Sequence, residues 1–317
     1  MSITPFDWSI SPQDSNDRLL GQLVSTASSN AARSEAILFG LPFDGAVLGR
    51  RGAAAGPHAL RAAARTLKAC RFASGELRRR VFDMGDAELF PDDVAKSHAG
   101  AEEFARRAIA LGRREDGRPQ ARVIALGGDH SLAFPCAWPY LEAFGARLAV
   151  INLDAHLDVR QVRAQEAFNS GTAFARLLDK GLSSYTVIGA RDFQTSPAYA
   201  RRVAQAGGRI VTAREVFSKG AELLAREILD GLPPACHELY LSVDLDVADA
   251  SVAPGVSAPT PGGLLAHQIF ELINAFASDP RCAACGIFEL APNLEEPRND
   301  RTARLAAGCL AEMLAAM

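Results

Sequence analysis

The sequence has no large excess of charge and no long apolar run, and both absences exclude classes of protein. Its 317 residues carry 34 basic and 37 acidic side chains, which gives a formal net charge of −3. Because both signs are mixed along the chain, no basic patch is available for nucleic acid or an anionic membrane surface. A membrane-spanning helix needs about 20 consecutive apolar residues, and none is present. The first residues, MSITPFDWSI, lack the basic and apolar regions of a secretory signal, so we expect a soluble, cytoplasmic protein with a small-molecule substrate.

Cysteine is present without the spacing that a zinc ribbon or a disulfide framework requires. The chain has six cysteines, of which only Cys282 and Cys285 form a CxxC pair. A zinc ribbon needs a second pair nearby, and a disulfide framework needs a denser pattern. We interpret the cysteines as reduced, buried thiols of a cytosolic protein.

Apolar, partly β-branched segments alternate along the chain with segments of helical periodicity. The strand-like segments are 35–41, 80–84, 121–126, 147–153, 185–189, 238–243 and 284–290. Helical periodicity occurs, for example, at 97–113, 212–230 and 264–278. This order predicts an α/β fold in which helices cover both faces of a parallel sheet. Since no long linker or repeat divides the chain, we expect a single domain over residues 1–317, with 1–34 as an N-terminal extension.

Polar clusters follow three of the predicted strands. They are GGDHS at 127–131, DAHLD at 154–158 and DLD at 244–246. Open α/β sheets build their sites at the carboxyl ends of parallel strands, so these clusters are expected to converge. Taken singly, a Gly pair after a strand is often only a tight turn, and an Asp pair is often only a strand-end cap. Three such clusters after three strands favour a functional site.

The spacing of the ligand-type residues predicts a metal centre. Alternate residues of an extended chain point the same way, so the acidic and imidazole groups of each cluster can share one target. Four carboxylates close together would repel one another unless cations neutralise them, and two divalent ions balance their charge. The predicted ligands are His130, Asp154, His156, Asp158, Asp244 and Asp246. Such oxygen-rich sites suit Mn²⁺, although Fe²⁺, Co²⁺ and Zn²⁺ stay open. Two ions about 3.5–4 Å apart activate water, which predicts a hydrolase.

The remaining histidines have no neighbouring carboxylates at ligand spacing. They are His58, His98, His237 and His267. We interpret them as surface or packing residues.

The ordered motifs resemble those of the ureohydrolase family, which comprises arginase, agmatinase and formimidoylglutamase. The resemblance rests on GGDHS, DAHLD, SVDLDVADASVAPGVSAPTPGG and FELAP, with support from RRGAAAGPHALR, VFDMGD and NDRTARLAA, and spans about residues 35 to 310. It implies a three-layer αβα sandwich with a mostly parallel sheet of about eight strands. It also implies two Mn²⁺ per subunit on the six ligands already named, and a homo-oligomer, either a trimer or a hexamer.

Within the family, the sequence resembles the formimidoylglutamase branch most closely. DAHLDVR, FNSGTAFARLLDKG and APGVSAP carry that likeness, and Ser170 stands just before Gly171, where arginase and agmatinase typically have a histidine. The branch implies hydrolysis of N-formimidoyl-L-glutamate to L-glutamate and formamide, a step of histidine degradation. The TPGG at 260–263 is shared with agmatinase-like members, so a guanidino-acid hydrolase or agmatinase-like enzyme that releases urea stays the alternative. A non-catalytic, metal-binding regulatory protein is a remote alternative, because no family ligand is missing.

The resemblance also suggests roles for further residues. Asp158 would help the metals to hold the tetrahedral species, and Glu289 would pair with the planar amidinium through a forked pair of hydrogen bonds. The loop at 159–171 is expected to bind the substrate. Its candidate residues are Arg160, Asn169 and Ser170. Arg160 is the expected partner of a substrate carboxylate, with Arg163 and Arg191 as alternatives.

Overall fold

A computed structural model describes residues 5–14, 16–113, 120–162, 168–296 and 298–317. Its strands are β1 (Val24–Ser25), β2 (Ala36–Gly40), β3 (Cys70–Arg71), β4 (Gly75–Glu76), β5 (Val81–Asp86), β6 (Arg122–Leu126), β7 (Leu148–Leu153), β8 (Tyr185–Ala190), β9 (Arg209–Thr212), β10 (Glu238–Asp244) and β11 (Cys282–Phe288). Its α-helices are α1 (Gly56–Ala64), α2 (Val94–Leu111), α3 (Ala133–Phe144), α4 (Ala173–Asp179), α5 (Pro197–Gln205), α6 (Ala213–Lys219), α7 (Ala221–Asp230), α8 (Ala266–Ser278) and α9 (Arg301–Ala315).

The main sheet has nine strands in the order β1-β5-β2-β6-β11-β10-β7-β8-β9. Every strand pair within it is parallel. The strands β3 and β4 form a separate antiparallel hairpin. The predicted parallel sheet is therefore confirmed, with one strand more than the expected eight.

Alternating side chains on the strands build two cores, one on each face of the sheet. On β2, Ile37 and Phe39 lie in a core that includes buried residues of α2, α3, α4 and α5. Ala36 and Leu38 lie in the opposite core, with buried residues of α1, α7, α8 and α9. Because both faces are covered, the strands are apolar throughout, as is typical of parallel sheets. The three-layer αβα architecture is confirmed.

The sequence reading of several elements needs correction. The strands β1 and β9 were not predicted, since each has at most four residues and lies at a sheet edge. The helix predicted at 212–230 is two helices, because Gly220 has a φ of +85° that ends α6 and turns the chain into α7. The strand predicted at 284–290 ends at Phe288, since the φ of Glu289 is +68°.

The N-terminal residues pack on the same body as the sheet. Leu20 and Leu23 are buried in the core with α1 and α9, and Trp8 Nε1 donates to Asp83 Oδ2 over 2.7 Å. Among the described residues, no helix combines the length and apolar character that crossing a membrane would require.

Candidate metal centre

The four strands that carry the site motifs are neighbours in the middle of the sheet, in the order β6-β11-β10-β7. His130 lies four residues beyond β6, Asp154 follows β7 directly, and Asp244 ends β10. Their carboxyl ends meet at one edge of the sheet, as the positions of the motifs predict. The structure brings all six candidate ligands together there.

One group of candidate ligands surrounds His130. Its Nδ1 lies 2.8 Å from Asp158 Oδ2, 3.1 Å from Asp244 Oδ2 and 3.3 Å from Asp154 Oδ2. A second group surrounds His156, whose Nδ1 lies 3.0 Å from Asp246 Oδ2 and 3.4 Å from Asp154 Oδ1. The two oxygens of Asp154 thus face different groups. This arrangement can hold two cations that share one carboxylate.

The candidate ligands converge because the chain turns after β7 and β10. The alternation of side chains along an extended strand, on which the sequence prediction relied, contributes less. The strand β7 ends at Leu153, and His156 N donates to Asp154 Oδ1 over 2.6 Å. Asp158 has a φ of +49°, which is uncommon for a residue with a side chain, and its carbonyl accepts from the start of α4. After β10, Asp246 N donates to Asp244 Oδ1 over 2.8 Å. Backbone N–H groups therefore hold Asp154 and Asp244 through Oδ1. In Asp244 this leaves Oδ2 facing the site, whereas both oxygens of Asp154 face ligand groups.

The buried carboxylates and imidazoles of the centre have shifted pKa values, because they lie close together and out of water. Burial, together with Asp246, raises the pKa of Asp244 well above its ordinary value. Burial raises the pKa of Asp158 to about 6. Burial would lower the pKa of His130, but the surrounding carboxylates raise it well above its ordinary value. His130 Nδ1 is buried and has no well-aligned hydrogen bond among the described residues, although three carboxylate oxygens surround it. An imidazole nitrogen and several carboxylate oxygens that face one space form a ligand set that suits divalent cations, which would take the place of the proton on His130.

A cleft of about 540 Å³ opens onto this centre. Four of the candidate ligands line it together with Glu289, namely His156, Asp158, Asp244 and Asp246. The other lining residues include Leu48, Arg160, Ser170, Phe193, Gln194, Thr195, Ser196, Tyr199 and Ser257. The cleft is large enough for a small, polar, acyclic substrate.

Glu289 is buried immediately after β11, and its Oε1 accepts a hydrogen bond of 2.8 Å from His130 N. Burial raises the pKa of Glu289 to about 8. Cations bound in the adjacent centre would favour its ionised form and so oppose that rise. The structure thus places a carboxylate in the cleft beside the metal centre.

The predicted substrate-binding residues occupy different places. Arg160 is exposed at the cleft and lies over Gly171, where a Cβ would come within 2.6 Å of Arg160 Cδ. Ser170 lines the cleft, and its Oγ accepts from Leu48 N over 3.1 Å. Asn169 is not among the cleft-lining residues that the structure describes; its Oδ1 accepts from Gly171 N over 3.1 Å. Arg163 lies outside the described residues.

The model of the Arginase family matches residues 34–316. The chain belongs to the arginase family. It is 38% identical to the formimidoylglutamase of Halobacterium salinarum over 98% of this chain and 97% of that one. Its structure is similar to that of formimidoylglutamase from Bacillus subtilis, with a TM-score of 0.87 and 28% identity over 97% of this chain and 94% of that one. The Trypanosoma cruzi formiminoglutamase with Mn²⁺ gives a TM-score of 0.83 at 25% identity, over 95% of this chain and 98% of that one.

Sequence reasoning missed two features of this arginase-family site. Ser242, two residues before Asp244 on β10, has its Oγ 2.9 Å from His130 Nε2. This contact orients the ring and leaves Nδ1 facing the carboxylates. The cleft wall formed by Phe193, Gln194, Thr195, Ser196 and Tyr199 was also missed, because this segment, which runs into the start of α5, has no motif of its own. The alternation of inward-facing residues along β10 is a signal that could have found Ser242.

Proposed function

We propose that this protein is a binuclear manganese hydrolase that cleaves N-formimidoyl-L-glutamate to L-glutamate and formamide. The observation that carries the proposal is the sharing of Asp154 between two ligand groups, beside a cleft that Glu289 also lines. The 38% identity to a formimidoylglutamase over nearly the whole chain supports the choice of substrate. The Mn²⁺ of the similar T. cruzi enzyme supports the choice of metal.

His130, Asp154, Asp158 and Asp244 would hold one ion, and Asp154, His156 and Asp246 the other. When bound, a pair of Mn²⁺ ions supplies an activated water nucleophile at neutral pH. Glu289 would bind the amidinium of the substrate and fix its carbon beside the centre. Asp158 would help to hold the tetrahedral species that forms there.

The proposed reaction adds water across the amidine carbon. The C–O bond forms first and gives the tetrahedral species, and its collapse to a C=O bond then breaks the bond from that carbon to the glutamate nitrogen. The leaving nitrogen takes up a proton, which gives the amine of glutamate, and the former amidine carbon leaves as formamide. Glu289 and Asp158 both line the cleft and so can contact the reacting group.

Arg160 is proposed to bind a carboxylate of the substrate, because it is exposed and lines the cleft. We expect Arg160→Ala to raise KM for formimidoylglutamate by about tenfold to several-hundredfold, the effect of losing a charge-assisted contact, with little change in kcat. Steady-state kinetics measure this change. The matched control is Arg201→Ala, an exposed residue of α5 outside the cleft lining. An unchanged KM in Arg160→Ala would remove the residue from the binding site.

Metal binding is expected to stabilise the chain, since four buried carboxylates repel one another without cations. A ligand that binds only the folded state adds about 2.7 kcal/mol at a hundred times its Kd. For a chain of this size we expect chelator to lower Tm by several degrees and excess Mn²⁺ to restore it. Differential scanning calorimetry measures both shifts. Superimposable curves with and without chelator would contradict the binuclear centre.

We further propose that the chain is one domain that functions in the cytoplasm as a homo-oligomer, either a trimer or a hexamer. The packing of Leu20 and Leu23 into the core of the sheet supports the single domain. Light scattering after gel filtration measures the assembly, and a monomer would contradict it.

The substrate proposal is tested with the Mn²⁺-loaded chain on formimidoylglutamate, arginine, agmatine and guanidinobutyrate. We expect the highest kcat/KM for formimidoylglutamate, with glutamate and formamide formed in equal amounts. Faster release of urea from a guanidine substrate would instead support the agmatinase-like alternative. Metal binding without hydrolysis of any of the four would support a regulatory role.

A further inference from the structure

Arg191 is a buried cation that lies behind the candidate metal centre. It follows β8 directly and is 4% exposed. It is absent from the described lining of the cleft. Its Nη1 donates to Gly189 O over 3.0 Å. Its Nη2 donates to Asp246 O over 3.1 Å and to Ala248 O over 2.9 Å. The guanidinium is thus bonded to backbone carbonyls, which makes it unsuited to bind a substrate carboxylate.

These hydrogen bonds connect three neighbouring strand ends. The strand β7 lies between β8 and β10, so the Arg191 side chain reaches past the end of β7 to the segment after β10. Arg191 N also donates to Ala155 O over 3.0 Å, between the candidate ligands Asp154 and His156. One residue therefore ties the segment of Asp154 and His156 to the segment of Asp246.

The packing around Arg191 leaves little room for displacement. A Cβ on Gly263 would lie 1.9 Å from Arg191 Nη2. Gly189 has a φ of +99°, and a Cβ there would lie 2.4 Å from Val247 Cγ2. The close approach of these backbones fixes the plane of the guanidinium. A lysine would keep the charge but could not present the same planar set of donors to three carbonyls.

We propose that Arg191 is a positioning residue that sets the distance between Asp246 and the Asp154–His156 segment. It would thereby raise the affinity of the ligand group around His156 for its ion. The proposal rests on the proposed binuclear function. It predicts unequal effects on the two ions, because Asp246, whose carbonyl accepts from Arg191 Nη2, belongs to the His156 group alone, whereas the His130 group shares only Asp154 with it. Loss of an outer partner of a metal ligand typically costs about 10–100-fold in metal affinity.

The test is a titration of the metal-free chain with Mn²⁺. Calorimetry measures the Kd of each ion, and electron paramagnetic resonance detects whether the bound ions are isolated or paired. For Arg191→Lys, we expect the Kd of one ion to rise by about 10–100-fold while the other stays nearly unchanged. We also expect the resonance spectrum of Arg191→Lys to show isolated Mn²⁺ at Mn²⁺ concentrations at which the parent already shows a magnetically coupled pair. Arg191→Gln, which keeps an N–H donor without the charge, should behave in the same way.

The matched control is Arg122→Lys. The Arg122 guanidinium also donates to three backbone carbonyls, those of Cys282, Met313 and Ala277, but at the amino end of the strands. We expect Arg122→Lys to bind both ions with the same Kd values as the parent. Three results would overturn the proposal: equal weakening of both ions in Arg191→Lys, parental binding in that variant, or failure of both Arg191 variants to fold while Arg122→Lys folds. A parent chain that binds fewer than two ions would instead count against the proposed function.

Discussion

Asp154→Asn is expected to abolish the paired metal centre and to lower kcat/KM for formimidoylglutamate by about a thousandfold or more. Asp154 faces both imidazoles, with Oδ2 3.3 Å from His130 Nδ1 and Oδ1 3.4 Å from His156 Nδ1. An asparagine has nearly the same shape but carries no charge and presents one oxygen. Loss of metal-assisted catalysis costs several kcal/mol, which corresponds to about three powers of ten in rate. Kinetics and metal analysis of the purified variant measure both effects.

The matched control for this change is Asp249→Asn. Asp249 lies on the same loop as Asp246, but its carboxylate accepts from Ser251, Gly262 and Gly263 and does not face either imidazole. We expect this variant to bind two ions and to retain most of its activity. If Asp154→Asn kept two tightly bound ions, or if both variants lost activity equally, Asp154 would not be the shared ligand.

Glu289→Gln is expected to lower kcat/KM by about a hundredfold to a thousandfold without loss of metal. Glu289 lines the cleft, and its Oε1 accepts from His130 N, a bond that a glutamine oxygen can also accept. The change therefore removes the negative charge that is proposed to face the amidinium and preserves the contact with the backbone. Charge-assisted hydrogen bonds contribute about 1.5–3 kcal/mol each, so a forked pair accounts for an effect of this size.

Glu295→Gln provides the comparison for Glu289. Glu295 is another buried glutamate of the same region, but its Oε2 accepts from Thr302 N and it is absent from the described lining of the cleft. We expect its turnover to remain close to that of the parent. Near-normal kinetics of Glu289→Gln at full metal occupancy would show that the carboxylate does not bind the amidinium.

The location of the candidate site could be predicted from the sequence because it depends on strand ends. A parallel sheet places the carboxyl ends of its strands at one edge, so apolar segments followed by GGDHS, DAHLD and DLD indicate one site. The local geometry could not be predicted in the same way. The φ of +49° at Asp158 depends on contacts with the start of α4, which no spacing in the sequence reveals.

Long-range contacts to backbone atoms could not be predicted from the sequence either. Arg191 bonds to the carbonyls of Asp246 and Ala248, more than fifty residues away, and carbonyl groups are present at every position of any sequence. Its sequence context suggests only an arginine after a strand. The break at Gly220 was missed for a related reason, because the apolar periodicity continues from α6 into α7 and does not show the φ of +85° between them.

The most direct measurement is a titration of the metal-free chain with Mn²⁺ while glutamate release from formimidoylglutamate is followed. We expect almost no hydrolysis without metal, little at one ion per chain, and a maximal rate at two ions per chain, with one formamide formed for each glutamate. A rate that is maximal at one ion, or that is independent of metal, would contradict the binuclear mechanism. A fully loaded chain that releases no glutamate would contradict the proposed substrate.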